Sequence, residues 1–179
     1  MSPEDLSLLV RALAFAAGKH RDQRRKDLEA SPYINHPIAL ADVLVNGAGV
    51  TDVEVIAAAL LHDTMEDTET TAEELDQAFG SGVRKIVEEV SDDQTLEKQE
   101  RKRMQILHAP QLSNHARLVK LSDKICNLRD IVGCPPRGWN LQRRQAYFDW
   151  SKKVIDGLRG PNPELEEIFD EAYRLRPRG

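Results

Sequence analysis

Apolar residues recur at intervals of three and four along most of this 179-residue chain, which is the spacing of one face of a helix. The first such set is Leu6, Leu9, Val10, Leu13, Ala14 and Ala17. No segment alternates apolar and polar residues for the length of a strand with enrichment in β-branched residues. The sequence therefore predicts an all-α fold, and its length suits a single domain that spans residues 1–179.

Capping residues divide the chain into roughly eight predicted helices. Two capping boxes each open a helix, at Thr51-x-x-Glu54 and at Thr71-x-x-Glu74. The helix that begins after Thr71 is expected to stop at Gly80. Further helical patterns cover about residues 82–91, 95–108, 114–132, 139–158 and 164–175.

Composition excludes several classes of protein. The net charge of −5 disfavours a nucleic-acid binder, which must neutralise many phosphates, but it allows a small phosphorylated ligand in a locally basic pocket. No apolar run approaches the roughly 20 residues of a membrane span, and the N-terminus lacks the pattern of a secretory signal. Cys126 and Cys134 belong to no CxxC motif and are expected to be reduced thiols. We therefore expect a cytoplasmic protein with neither nucleic acid nor membrane as a partner.

The segment LLHDTMEDT, residues 60–68, is the most informative part of the chain. It continues an apolar helix and then becomes strongly polar. His62 and Glu66 stand four residues apart, as do Asp63 and Asp67, so each pair shares a helical face. Acids that repel one another at the end of a buried helix need a compensating positive charge, which a divalent cation supplies.

Two further residues offer metal-binding atoms in similar contexts. His36 stands at a predicted helix start between apolar residues, and Asp123 and Asn127 form a polar stripe on an otherwise apolar helix. His36 and Asp123, together with His62 and Asp63, supply two imidazoles and two carboxylates. This mixed set of ligands suits Mn, Fe or Zn better than calcium. A metal bound in this way acidifies a water molecule into a nucleophile near neutral pH.

These motifs resemble the H…HD…D signature of the HD-domain metal-dependent phosphohydrolases. The longer strings YINHP (33–37), AALLHDTMEDT (58–68) and VKLSDKICNLR (119–129) are similar to the hydrolase domain of the RelA/SpoT alarmone enzymes. They most resemble the small stand-alone alarmone hydrolases related to the animal SpoT homologue. The similarity extends over nearly the whole chain.

The resemblance implies a helical HD-domain bundle that binds one Mn²⁺ ion per chain. It also implies hydrolysis of the 3′-pyrophosphate of (p)ppGpp, which yields GDP or GTP and pyrophosphate. The long enzymes of the family carry synthetase and regulatory domains after the hydrolase. Because this chain ends at Gly179, we expect an enzyme with hydrolase activity alone.

The resemblance also assigns roles to the residues around the metal. Four residues would be the ligands of Mn²⁺: His36, His62, Asp63 and Asp123. Two acids that follow the His-Asp pair would activate or orient the attacking water and manage its protons: Glu66 and Asp67.

Six residues would contact the substrate. Arg25 and Lys26 would meet its phosphates, and Asn127 would contact the ribose–phosphate region. Three more positions match places where small members of the family touch the nucleotide: Lys98, Arg143 and Tyr147. Asp130 departs from the pattern because the long enzymes typically have Thr there, which leaves the local contact with the nucleotide open.

Two alternative functions remain compatible with the sequence. The first is an HD-type phosphatase that acts on another phosphorylated nucleotide, such as NADPH, whose ribose 2′-phosphate resembles a 3′-phosphate. The second is a catalytically inactive HD module that binds a nucleotide or a partner protein. Such a module is expected to have lost some of the predicted metal ligands or catalytic acids, and this chain keeps all six.

Overall fold

Every regular element of the protein is helical in the computed structural model, which describes residues 1–179. The α-helices are α1 (Pro3–Lys19), α2 (Asn35–Asp42), α3 (Val53–Leu61), α4 (Thr64–Asp67), α5 (Ala72–Val90), α6 (Lys98–His108), α7 (Asn114–Gly133), α8 (Leu141–Asp156) and α9 (Pro163–Arg174). A π-helical segment, Val43–Gly47, continues α2, and a 3₁₀ turn follows α6. Since α4 is a single turn, the predicted all-α bundle of roughly eight helices is confirmed.

The ends of the helices follow the predicted capping residues at some places and not at others. Thr71 caps α5, and its side chain accepts a hydrogen bond from the backbone N–H of Glu74 at 3.2 Å. The capping box predicted at Thr51 is wrong, because Asp52 is the N-cap of α3 and its side chain accepts from the backbone N–H groups of Glu54 and Val55. A carboxylate at this position is at least as good a cap as a threonine hydroxyl.

Gly80 divides α5 into two helical stretches that meet at a kink. Its φ of 85° lies in the left-handed region, which a residue without a Cβ adopts at little cost. The predicted stop at this glycine is therefore correct as a break in the helix, although the chain resumes helical geometry at once.

Helix α3 is the centre of the hydrophobic core. Every residue from Val55 to Leu61 is buried, and α3 packs against α1, α2, α5 and α7. A helix that is apolar on all faces is stable only when neighbours surround it. Consequently, the polar residues that follow Leu61 begin inside the molecule, where their charges are shielded from water.

Helix α7 lies across the same core and contacts α2, α3, α5, α8 and α9. It contains ten buried residues, among them Lys120 and Lys124, although most of its neighbours in the core are apolar. The buried hydrophobic residues of the chain form one contiguous cluster. No helix combines the length and the hydropathy needed to cross a bilayer. The single-domain organisation of residues 1–179 stays a prediction.

Candidate metal centre and active site

Three residues from three different helices meet in the core. His36 comes from the first turn of α2, His62 directly follows α3, and Asp123 lies in the middle of α7. One potential ligand atom of each lies within 4.8 Å of the others. The two histidines are 4% and 5% exposed, respectively, so the cluster is fixed by the packing of the core.

The hydrogen bonds of His62 show which ring nitrogen is free. Nδ1 lies 2.9 Å from the carbonyl oxygen of Ala59 and donates its proton there. Nε2 has no hydrogen-bond partner, is buried, and lies 2.9 Å from Oδ2 of Asp63 and 4.0 Å from Oδ1 of Asp123. Metal-bound histidines show the same arrangement, in which a backbone carbonyl fixes one ring nitrogen and the other faces the metal.

The pKa of His62 also indicates that this position can bind a cation. Burial lowers its pKa, but the Asp63 and Asp123 carboxylates more than offset this and raise the pKa to about 9. A position that attracts a proton so strongly also attracts a divalent cation, because both neutralise the same acids. The donor set therefore fits a divalent metal ion.

Asp63, the fourth predicted ligand, lies beside this cluster and is not among the three residues that share it. It is the residue directly before the one-turn helix α4, and its side chain accepts a hydrogen bond from the hydroxyl of Tyr33. Burial would raise the pKa of Asp63, but the adjacent histidines hold it below its usual range. Its role as a metal ligand stays a prediction.

The two predicted catalytic acids occupy different surroundings. Glu66 lines the same cavity as the metal cluster, where its carboxylate accepts from the backbone N–H of Asp92 at 2.7 Å and from the Gln94 amide at 3.1 Å. Burial and the nearby Asp63 raise the pKa of Glu66 to about 7. Asp67 lies farther out and accepts from Gln23 at 2.8 Å.

Two adjacent cavities define the candidate active site. The metal compartment, of about 200 Å³, is lined by the histidines, Asp63, Asp123 and Glu66. The front compartment, of about 490 Å³, is lined by the loop before α2 and by part of α7, and includes Asp67. The two compartments share these lining residues: Arg25, Tyr33, His36, Asn127 and Tyr147.

Four of the six predicted substrate contacts meet in these compartments, namely Arg25, Lys26, Asn127 and Tyr147. The amide of Asn127 donates to Oδ1 of Asp123 at 2.5 Å, so it also holds the metal cluster in place. Burial raises the pKa of the Tyr147 hydroxyl to about 12, which keeps it a hydrogen-bond donor at neutral pH.

The other two predicted contacts, Lys98 and Arg143, line neither compartment. Lys98 opens α6, and the guanidinium of Arg143 lies 4.4 Å from the ring centre of Trp139, which does line the front compartment. Arg143 therefore lies at the outer margin of the site, whereas the contact predicted for Lys98 stays a prediction.

The departure at Asp130 has a structural consequence. Its carboxylate accepts a short, charged hydrogen bond from Arg25, a residue 105 positions away in the chain. This pair takes up part of the positive charge that the resemblance assigns to the substrate phosphates.

Sequence reasoning missed two buried lysines of α7. Nζ of Lys124 donates to Oδ2 of Asp123 at 2.8 Å, and Nζ of Lys120 donates to the carbonyl oxygen of Val90 at 2.6 Å. Both residues line the metal compartment. The signal was present in the sequence, because the two charges stand four residues apart on a helix that is otherwise largely apolar.

Comparison with known proteins identifies the class. The family model described as HD domain matches residues 12–147. The chain therefore belongs to the HD-domain family, as the H…HD…D motifs predict.

Within that family the chain is similar to several proteins that share one name. The chain is 55% identical over 169 residues to guanosine-3′,5′-bis(diphosphate) 3′-pyrophosphohydrolase MESH1 of Xenopus tropicalis, and the match covers 94% of each chain. It is 54% identical to the human protein of the same name, again over 94% of each chain. A solved structure described as a metazoan ortholog of SpoT that hydrolyses ppGpp superposes with a TM-score of 0.91 at 49% identity. That match covers 94% of this chain and 95% of the other. The predicted resemblance to small alarmone hydrolases is confirmed.

Proposed function

We propose that this protein is a metal-dependent hydrolase that removes the 3′-pyrophosphate of (p)ppGpp. The observation that carries the proposal is the buried cluster of His36, His62 and Asp123 in a chain similar along nearly its full length to proteins named for this activity. Glu66, with a pKa of about 7, lines the same compartment. We further propose that one Mn²⁺ ion binds per chain and that the protein acts in the cytoplasm.

The reaction forms one bond and breaks one. The oxygen of a water molecule bonds to the phosphorus attached to the ribose 3′-oxygen, and the bond between that phosphorus and the 3′-oxygen breaks. The 3′-oxygen takes up a proton, and the products are GDP or GTP and pyrophosphate. A bound divalent ion would supply charge neutralisation on the phosphoryl oxygens and would acidify the water.

The protein's own groups manage the protons. Glu66 is suited to accept the proton of the attacking water, because a base with a pKa near the working pH is both deprotonated and able to take a proton. Asp67 lines the front compartment, where the nucleoside would lie. We therefore assign it to the ribose side of the reaction, with Gln23 fixing the orientation of its carboxylate.

The front compartment suits the nucleotide in size and chemistry. Its lining combines basic groups, Arg25 and Lys26, with aromatic and apolar surface from Trp139 and Ile131. Such a mixture of apolar walls and a few placed polar groups is typical of small-molecule sites. We propose that Asn127 and Tyr147 contact the ribose–phosphate region and that Lys98 and Arg143 make outer contacts.

Pyrophosphate release from ppGpp, measured with Mn²⁺ and again after chelation, tests the proposal. We expect turnover that depends on Mn²⁺ and stops with chelator. NADPH and deoxynucleoside triphosphates should be compared in the same assay. If ppGpp is untouched while one of these is cleaved, the substrate assignment is wrong. If no substrate is cleaved and no metal binds, the protein is an inactive HD module.

A further inference from the structure

Lys120 and Lys124 stand on consecutive turns of α7, and both line the metal compartment. They are 9% and 3% exposed, respectively. Lysine is rarely buried to this extent unless its charge is paired, because removing an ammonium group from water is costly. Two such residues in one small cavity call for an account of what they bind.

The protein uses only part of the hydrogen-bonding capacity of these lysines. Lys120 donates to the Val90 carbonyl at 2.6 Å, and its nearest carboxylate oxygen, on Asp92, is 3.9 Å away. Lys124 donates to Asp123 at 2.8 Å and lies 4.7 Å from the ring centre of Trp150. Because each ammonium has three N–H donors, both retain donors in a cavity that they line.

Lys120 lies at the opposite end of the site from the front compartment, where the nucleoside would bind. Arg25 and Asn127 line the front and metal compartments, whereas Lys120 lines the metal compartment and a third cavity of about 190 Å³. Lys120 does not line the front compartment. The metal cluster therefore lies between the nucleoside side and the Lys120 side.

We propose that Lys120, assisted by Lys124, binds the distal phosphate of the 3′-pyrophosphate, the one not attached to the ribose. This assignment rests on the proposed function. With the nucleoside in the front compartment and the reacting phosphorus at the metal cluster, the second phosphate extends toward Lys120. Its charge then meets the unused ammonium donors. The pair thus selects a 3′-pyrophosphate over a 3′-monophosphate.

Lys120 offers the cleaner test, because Lys124 touches Asp123, a candidate metal ligand. Lys120→Gln keeps a donor for the Val90 carbonyl and removes the charge, whereas Lys120→Arg keeps the charge. Lys85→Gln is the matched control, since Lys85 is an exposed lysine of α5. Thermal melting of each variant reports whether it folds.

The experiment compares ppGpp with guanosine 5′-diphosphate 3′-monophosphate. Loss of a charge-assisted contact is expected to lower kcat/KM of Lys120→Gln for ppGpp on the order of 10- to 100-fold. The inhibition constant of the 3′-monophosphate should change less than about twofold, a small fraction of the free energy of one charge-assisted contact, because this ligand lacks the distal phosphate that Lys120 would bind. Lys120→Arg should recover much of the activity, and Lys85→Gln should match the wild type.

A binding measurement separates this proposal from the proposed function. At fixed free Mn²⁺, inorganic pyrophosphate and GDP should each raise the melting temperature of the wild type. Lys120→Gln should lose the response to pyrophosphate and keep the response to GDP. Equal losses for both ligands, or no loss, would overturn the assignment, and so would a wild type that binds the 3′-monophosphate as tightly as ppGpp. Failure of the wild type to cleave ppGpp would count against the proposed function alone.

Discussion

The metal cluster and the outer margin of the site are built in different ways. His36, His62 and Asp123 come from three packed helices, and their orientation is fixed by buried neighbours. At the margin, the guanidinium of Arg143 lies over an aromatic ring, 4.4 Å from the Trp139 ring centre. An exposed cation–π contact is weak and imposes no fixed coordination geometry, whereas metal ligation requires one. The reacting groups are thus held by buried, packed side chains, whereas the outer contacts with the substrate are left to exposed ones.

Removing a metal ligand should have the largest effect, because His62 supplies one of only three donors in the cluster. We expect His62→Ala to lower ppGpp hydrolysis by about a thousandfold or more and to weaken Mn²⁺ binding measured by calorimetry. His115→Ala, at an exposed histidine, is the control and should behave as the wild type. Full activity in His62→Ala would contradict the claim that the metal cluster is required for hydrolysis.

Glu66→Gln should affect turnover without affecting the metal. Loss of a general base lowers kcat by about 10²- to 10⁴-fold, and the isotherm for Mn²⁺ should stay close to that of the wild type. Glu69→Gln changes an exposed acid three residues later and is expected to leave kcat unchanged. If Glu66→Gln loses Mn²⁺ binding as well, the residue belongs to the metal cluster and is not a separate base.

The raised pKa of Glu66 predicts a pH-dependent change in stability. A carboxyl whose pKa is about 7 in the folded protein and 4.5 otherwise favours folding at low pH, and this contribution is lost as pH rises through 7. In metal-free protein at pH 8, Glu66→Gln should therefore raise the free energy of unfolding by about 1–2 kcal/mol. At pH 5 the gain should largely vanish. Urea denaturation at both pH values measures the free energy of unfolding. An equal gain at pH 5 and pH 8 would mean that the charge of Glu66 is not its cause.

Substitutions at the margin should have the smallest effects. We expect Lys98→Ala and Arg143→Ala each to raise KM for ppGpp by about three- to tenfold with little change in kcat, as for exposed charged contacts. Lys153→Ala provides a comparison on the same helix as Arg143. A fall in kcat as large as that of Glu66→Gln would mean that the margin takes part in the chemistry.

The sequence predicts the centre of the site better than its surroundings. The pair His62-Asp63 was recognisable because an apolar helix ends in charge, and local patterns of this kind determine burial. The pairing of Arg25 with Asp130 could not be predicted from the sequence, because the two residues are 105 positions apart. The different places of Asp63 and Asp67 depend on side-chain partners, Tyr33 and Gln23, that no spacing rule supplies.

Helix boundaries and the burial of the two lysines also depend on tertiary packing, which the sequence alone does not show. Thr51 and Asp52 are adjacent capping residues, and only the register of the following helix decides between them. The spacing of Lys120 and Lys124 on a largely apolar helix marks them as unusual, but only the packing of α7 against α3, α5 and α8 shows that both are buried.

Anomalous diffraction at the manganese edge, from crystals of the protein grown with Mn²⁺, tests the central claim most directly. We predict one strong peak per chain within bonding distance of His36, His62 and Asp123. The same map decides whether Asp63 turns inward to become the fourth protein ligand. A peak held by other residues, or none in crystals of protein that hydrolyses ppGpp with Mn²⁺, would contradict the account.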